Sequence, residues 1–152
     1  QYSAAAGDTL RDSWDAGDFP GGHYHFRVQG PNGFYREFRG AVADPLLEVS
    51  CRYEGVGGGA HAPSGNIRLT VKNRDASRSH EVVIADHGYK KENHRRLRVR
   101  AGAEQEVILA GDLGWYDFSV LADGEQHFEK RYAGRVETGK PTSTDPLMGG
   151  VV

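Results

Sequence analysis

The amino-acid sequence predicts an all-β fold, an antiparallel immunoglobulin-like β-sandwich. Apolar residues recur at every second position in short runs, the pattern of strands with one buried and one solvated face. Glycine, asparagine and aspartate turns separate the runs, with 21 glycines in 152 residues. No segment keeps a helical period for three turns. The chain also repeats itself at an interval of about ninety residues, close to the size of one sandwich module.

The repeat fixes the outer elements. Residues 24–40 read YHFRVQGPNGFYREFRG and residues 116–134 read YDFSVLADGEQHFEKRYAG. Tyr24, Phe26 and Val28 match Tyr116, Phe118 and Val120, while Phe34, Phe38 and Gly40 match Phe128, Tyr132 and Gly134. Ala16-Gly17-Asp18 precedes the first segment as Ala110-Gly111-Asp112 precedes the second. Pro31-Asn32-Gly33 and Asp123-Gly124 interrupt the two segments, the strongest short-range hairpin signal. The first copy begins only a few residues into the chain. Residues 1–45 are therefore expected to be the C-terminal strands of a preceding, incomplete module, and the chain a piece of a longer protein.

Between these hairpins the strands follow in order. Leu47, Val49, Cys51 and Tyr53 alternate with polar residues, as do Ile67, Leu69 and Val71. The glycine-rich stretch 55–60 links the two runs as a loop. Asn73–Ser77 is a turn, and Val82–Asp86 is a shorter, more buried strand. Leu97 and Val99 alternate with arginine, Ala101-Gly102-Ala103 turns, and Glu106–Leu109 follows. About seven strands then make residues 46–136 one complete module, with 137–152 an extended C-terminal arm. The strands before residue 41 need partners, because a hairpin alone is marginal in water. They either extend the same sandwich or pair with another copy of the chain, giving a homo-oligomer.

Composition narrows the function classes. A net charge of −2 gives no global reason to bind nucleic acid. The single cysteine, Cys51, excludes an internal disulfide. No apolar run approaches the ~18–20 residues of a membrane-spanning helix, and no signal-peptide pattern stands at Gln1. His23 and His25 share a strand face, but no histidine or cysteine pair has zinc-ligand spacing, so no metal and no cofactor is expected. No Gly-x-Ser-x-Gly elbow is present. Asp15 and Asp18, or Asp86 and Glu92, read as turn caps rather than an acid–base pair. No catalytic residue is assigned.

The contact candidates are surface features. Residues 90–100 hold six basic side chains. Lys90, Lys91, Arg95 and Arg96 could meet lipid headgroups or an acidic protein face, although a solvated strand face explains the same pattern. Phe34 and Tyr35 are adjacent and cannot both face inward, so Tyr35 is expected outside. The same logic turns Trp115 outward beside Tyr116. Such rings suit a membrane interface or a protein contact. Glu137, Thr138, Gly139, Lys140, Pro141 and Asp145 form a candidate docking arm.

The strings GPNGFYREFRG, Trp115-Tyr116-Asp117-Phe118-Ser119-Val120 and Ala133–Pro141 with Ser143, Asp145 and Pro146 resemble the C-terminal region of bacterial phospholipases C. These are the phosphocholine-preferring enzymes related to certain acid phosphatases. The resemblance runs from about Gly7 to Gly149. It implies a tandem-repeated accessory domain of a secreted or periplasmic enzyme that cleaves phosphatidylcholine or sphingomyelin. It further implies the catalytic domain of the same protein as partner, with the phospholipid surface as a second possible contact. No stretch here resembles the catalytic domain, so the chain alone is not expected to be an enzyme. The competing expectation is a free-standing carbohydrate- or lipid-binding sandwich.

Overall fold

A computed structural model describes residues 5, 7–58, 62–88, 94–140 and 144–145. The strands are β1 (His23–Gln29), β2 (Tyr35–Ala41), β3 (Leu47–Gly55), β4 (Pro63–Asn73), β5 (His80–Asp86), β6 (Arg95–Val99), β7 (Glu104–Leu109), β8 (Trp115–Ala122) and β9 (Glu129–Arg135). Three single 3₁₀ turns, at Ala16–Asp18, Pro20–Gly22 and Val56–Gly58, are the only helical segments among the described residues. All pairings are antiparallel.

Two sheets face each other. One has six strands in the order β1-β2-β9-β8-β5-β6, the other three in the order β3-β4-β7. Residues 47–135 thus place their first, second and fifth strands in one layer and the remaining four in the other, the connectivity of an immunoglobulin-like sandwich. Ile67, Leu69 and Val71 of β4 turn one face into the core, where they meet Val82, Ile84 and Val120, all buried. Each such burial is worth roughly 1.5–3 kcal/mol. Phe118 and Tyr132 stack at 5.6 Å between ring centres, joining β8 to β9 inside this core.

Polar satisfaction finishes the core. Asn73 is fully buried at the end of β4. Its amide nitrogen donates to the carbonyls of Arg78, Val99 and Arg100, and its oxygen accepts from the Asp75 amide. One side chain thus ties the end of β4 to the turn at 75–78 and to the end of β6.

The hairpin β1–β2 lies in the same sheet as the module, because β2 pairs with β9. Asn32 and Gly33 take positive φ values of 55° and 69° at its tip, the geometry that asparagine–glycine turns favour. Phe34 donates to the Pro31 carbonyl and Gly30 to the Phe34 carbonyl to close the turn.

Candidate functional site

The most organised cluster outside the core is the seam where β2 meets β9. The sequence match of Phe38 with Tyr132 and Gly40 with Gly134 makes Arg36 equivalent to Lys130, Glu37 to Arg131 and Arg39 to Ala133. In the ladder, Tyr35 faces Ala133, Arg36 faces Tyr132, Glu37 faces Arg131, Phe38 faces Lys130 and Arg39 faces Glu129. Exchanging each residue for its equivalent reproduces the same five pairs. The two hairpins therefore meet about a local two-fold axis, and the Glu37–Arg131 pair lies on it.

Side chains on the inner face obey the same symmetry. The Arg36 guanidinium lies over the rings of Phe34, Tyr132 and Tyr116 at 4.2, 5.2 and 5.7 Å from their centres. The Lys130 ammonium lies over Tyr24, Phe128 and Phe38 at 4.6, 4.9 and 5.9 Å. These two sets of rings are equivalents of one another. Arg36 donates to the Tyr116 hydroxyl at 3.0 Å and to the Ala133 carbonyl at 2.8 Å. Lys130 donates to the Tyr24 hydroxyl at 2.5 Å and to the Arg39 carbonyl at 3.4 Å. Each hairpin thus sends one cation across the seam into a cage for which the other hairpin supplies two of the three rings, a strong arrangement for a partly desolvated charge. Burial still holds Lys130 below its usual range, at about 8, against the raising influence of Asp44. Burial pushes the Tyr116 hydroxyl up to about 12, despite Arg36.

Two glycines make room for the cages. Tyr24 pairs with Gly40 and Tyr116 with Gly134. A methyl group at Gly40 would overlap the Tyr24 hydroxyl end and the Asp44 carboxylate, and one at Gly134 would come within 3.0 Å of the Tyr116 oxygen.

The outer face is a charged network. Glu37, only 7% exposed, accepts from the Tyr35 hydroxyl at 2.7 Å and from Arg27 at 3.2 Å, and meets His25 Nε2 at 2.5 Å. Burial alone would raise its carboxyl. The hydrogen bonds from Tyr35, His25 and Arg27 overcome that and hold it at about 2. Across the axis Arg131 makes a two-pronged pair with Asp117 at 2.7 and 2.9 Å. Farther along, buried Ser119 donates to Glu129 and meets His87 Nε2 at 2.7 Å, while Glu129 also pairs with Arg39. The Ser119 hydroxyl lies in the sheet, bridging three strand segments.

The sequence candidates fall in several places. Phe34 joins the seam, under Arg36. Tyr35 turns to the outer face as expected, where its hydroxyl is committed to Glu37. Trp115 departs from expectation. It is only 9% exposed, because the hairpin tip at Gly33 covers it and Arg135 lies over its face at 5.6 Å. The sequence argument failed there because two successive strand residues can both be buried when a neighbouring loop covers the outer one. Arg95 and Arg96 are both exposed on β6 and point to opposite faces, Arg95 donating to the Ile108 carbonyl of the other sheet and Arg96 paired with Asp123 at 3.0 Å. Glu137 accepts from Asn32 at the hairpin tip at 3.2 Å. Thr138 and Lys140 border a shallow recess beside Gly65, and Gly139 takes a positive φ between them. Asp145 is half-buried. Lys90, Lys91 and Pro141 lie outside the described residues.

Sequence reasoning missed Arg36, Lys130, Glu37 and Arg131. The signal was available: Arg36 and Lys130 each stand two residues after a phenylalanine, at matching points of the repeat. Among the described residues, no three histidine, cysteine or acidic side chains gather as a metal group, and no helix is long and apolar enough to cross a membrane.

Fold and seam together define an immunoglobulin-like sandwich extended by a hairpin of its own kind. The chain belongs to the family described as bacterial phospholipase C, C-terminal domain, whose model matches residues 1–41 and 47–135. It is similar to the non-hemolytic phospholipase C of Pseudomonas aeruginosa, 36% identical over 98% of this chain and 21% of that protein. It is also similar to the hemolytic phospholipase C of the same organism, 38% identical over 93% of this chain and 19% of that protein. The non-hemolytic phospholipase C of Burkholderia pseudomallei is 33% identical over 97% of this chain and 21% of its own length. The chain spans about a fifth of the length of these relatives.

Proposed function

We propose that this chain is the accessory, non-catalytic sandwich region of a secreted phospholipase C that hydrolyses phosphocholine lipids. Its role in that reading is to hold and orient the catalytic domain of the same protein. The carrying observation is the extent of the match: nearly all of this chain aligns with about a fifth of each phospholipase C relative. The chemistry of the chain supports a holding role. Its best-organised charged and aromatic groups are engaged with one another across the β2–β9 seam. The contact surface for the catalytic domain is the end of the sandwich at the β1–β2 tip. A recess of about 390 Å³ opens there between Pro31, Phe34, Tyr53 and Arg135, with Glu137 at its rim.

The test is binding of this chain to the separately expressed remainder of its parent protein, alongside co-sedimentation with phosphatidylcholine vesicles doped with anionic lipid. Tight association with the remainder, lost on Phe34→Ala or Tyr53→Ala, is the expected result. Salt-sensitive binding to vesicles without such association would instead make the module a membrane-contact device. Hydrolysis of a phosphocholine ester by the purified chain would overturn the non-catalytic reading.

A further inference from the structure

The turn between β7 and β8 carries a residue that its backbone does not favour. Asp112 and Trp115 each donate an amide to the other's carbonyl, at 2.9 and 2.8 Å, so Leu113 and Gly114 form a two-residue turn between them. Both have positive φ, 50° and 87°, the geometry that asparagine–glycine and glycine–glycine pairs favour. The match of Tyr24 with Tyr116 makes Leu113-Gly114 equivalent to Gly21-Gly22. The structure keeps that equivalence: the Val42 amide donates to the Gly22 carbonyl at 2.9 Å and the Val136 amide to the Gly114 carbonyl at 2.8 Å. Gly21 and Gly22 also take positive φ, 67° and 68°. Leucine thus stands where the other half of the repeat has glycine.

Among the described residues only Asn32 and Leu113 are non-glycine at positive φ. Asparagine suits that region through its short polar side chain, whereas leucine crowds its Cβ against the following carbonyl. Burial does not offset the strain, because Leu113 is 61% exposed and lies outside the core. A strained position that the core does not use points to a use on the surface. The turn lies at the end of the sandwich that carries the β1–β2 tip, since the next residue, Trp115, lies against Gly33. Leu113 borders a recess of about 270 Å³ with Ser64, Asn66 and Thr138. Tyr53, 47% exposed, lines the neighbouring recess and its hydroxyl donates to the Arg135 carbonyl. An apolar centre with a polar rim is the anatomy of a protein contact. Glu54 and Glu137 accompany Arg135 and Lys140 at this end, so it lacks the cationic excess that an anionic lipid surface selects.

We propose that Leu113 is an anchor residue, seated in an apolar socket on the remainder of the parent protein, and that the left-handed turn is retained to present it. This inference rests on the holding role proposed above and names the residue that fixes the contact. It also makes the chain less stable alone than its own repeat would allow, because asparagine or glycine at position 113 would relieve the turn.

The experiment reads the thermal melt of this chain and its affinity for the separately expressed remainder of the parent protein, for Leu113→Asn, Leu113→Gly and Leu113→Met. Leu113→Asn and Leu113→Gly should raise the melting temperature by about 2–6 °C while weakening association about tenfold or more. Leu113→Met keeps the apolar bulk and should leave both within error, as should the affinity of Leu46→Ala, at a residue 63% exposed at the opposite end. In the intact parent protein, a thiol introduced by Leu113→Cys, with Cys51→Ser, should label about a hundredfold more slowly than in this chain alone. Equal labelling in both overturns the proposal. Unchanged affinity for Leu113→Asn, with Phe34→Ala still disrupting association, overturns the anchor and leaves the holding role intact. A lower melting temperature for both Leu113→Asn and Leu113→Gly makes leucine structural in this turn and overturns it as well. Leu113-dependent binding to phosphatidylcholine vesicles in place of the remainder assigns the anchor to lipid and overturns it equally. No association by the unaltered chain, with equal labelling, overturns the holding role and the anchor together.

Discussion

Glu37 and Arg131 stand directly opposite each other in the β2–β9 ladder, on positions that the internal repeat makes equivalent. A single ancestral position thus carries an acid in one hairpin and a base in the other. Self-pairing of either hairpin would set Glu37 against Glu37 or Arg131 against Arg131, which is unfavourable for directly opposed strand residues. Only the pairing of first hairpin with second brings opposite charges to the axis. The divergence encodes which partner each edge accepts, by penalising the alternatives.

Replacing Glu37 with Gln removes the negative charge and one of the two acceptor oxygens that serve Tyr35, His25 and Arg27, and a loss of order 2 kcal/mol at pH 7 is expected from denaturant unfolding. The folded carboxyl titrates at about 2, below its ordinary 4.5. Its stabilisation is therefore complete above pH 4.5 and disappears as pH falls toward 2. Asp75, held at about 2 by backbone amides of Ser77 and Arg78, titrates in the same window. The difference between wild type and E37Q isolates the Glu37 share, and parallel acid profiles for the two proteins would contradict the assignment.

The two caged cations should respond unequally. Arg36→Ala leaves the Ala133 carbonyl and Tyr116 hydroxyl without their donor and empties a three-ring cage, for an expected cost of about 2–3 kcal/mol. Lys130→Met fills the same space without a desolvated charge and should stay within about 1 kcal/mol. Folded Lys130 loses its proton at about 8 against an ordinary 10.5. Between these values the unfolded chain binds more protons, so this group makes stability rise with pH there. Thermal melts of K130M from pH 7.5 to 10 should lack that rise.

The two glycines under the tyrosines offer a ranked comparison. Gly40→Ala should cost about 2–4 kcal/mol, because the new methyl overlaps the Tyr24 ring end and the Asp44 carboxylate that accepts from the Ala41 amide. Gly134→Ala meets a milder contact but also a φ of +150°, and about 1–3 kcal/mol is expected. Urea midpoints in the reverse order would contradict the packing described.

Asn73→Ala deprives the Arg78, Val99 and Arg100 carbonyls of a shared donor at a buried corner, and a destabilisation of about 2–4 kcal/mol should follow. Asn73→Asp keeps the shape but supplies no donor, so it should be at least as damaging. Calorimetry on both variants distinguishes this from simple loss of volume.

Much of the fold was legible in the chain. Period-two alternation located the strands because each sandwich strand has one dry and one wet face, and Pro31-Asn32-Gly33 marked its hairpin because left-handed backbone there suits few residues. Beyond the two hairpins marked by their turns, which strands become neighbours was not legible. The β2–β9 contact joins segments far apart in sequence, and alternation carries no information about lateral order. Trp115 was misjudged for a related reason: its cover comes from Gly33, a residue remote in sequence. Arg36 and Lys130 looked like ordinary solvated strand positions. Two of the three rings around each cation come from the opposite hairpin.

The loop from Val42 to Leu46 is not all that ties the first hairpin to the module, for five facing residue pairs of β2 and β9 do so as well. A tether of that length alone would let two bodies swivel freely. A shared ladder permits only the bending and twisting of a continuous sheet, and pulling the bodies apart along the strands would load all its hydrogen bonds in shear at once. The assembly is mechanically a stiff strut, and whatever it carries is held at a fixed bearing.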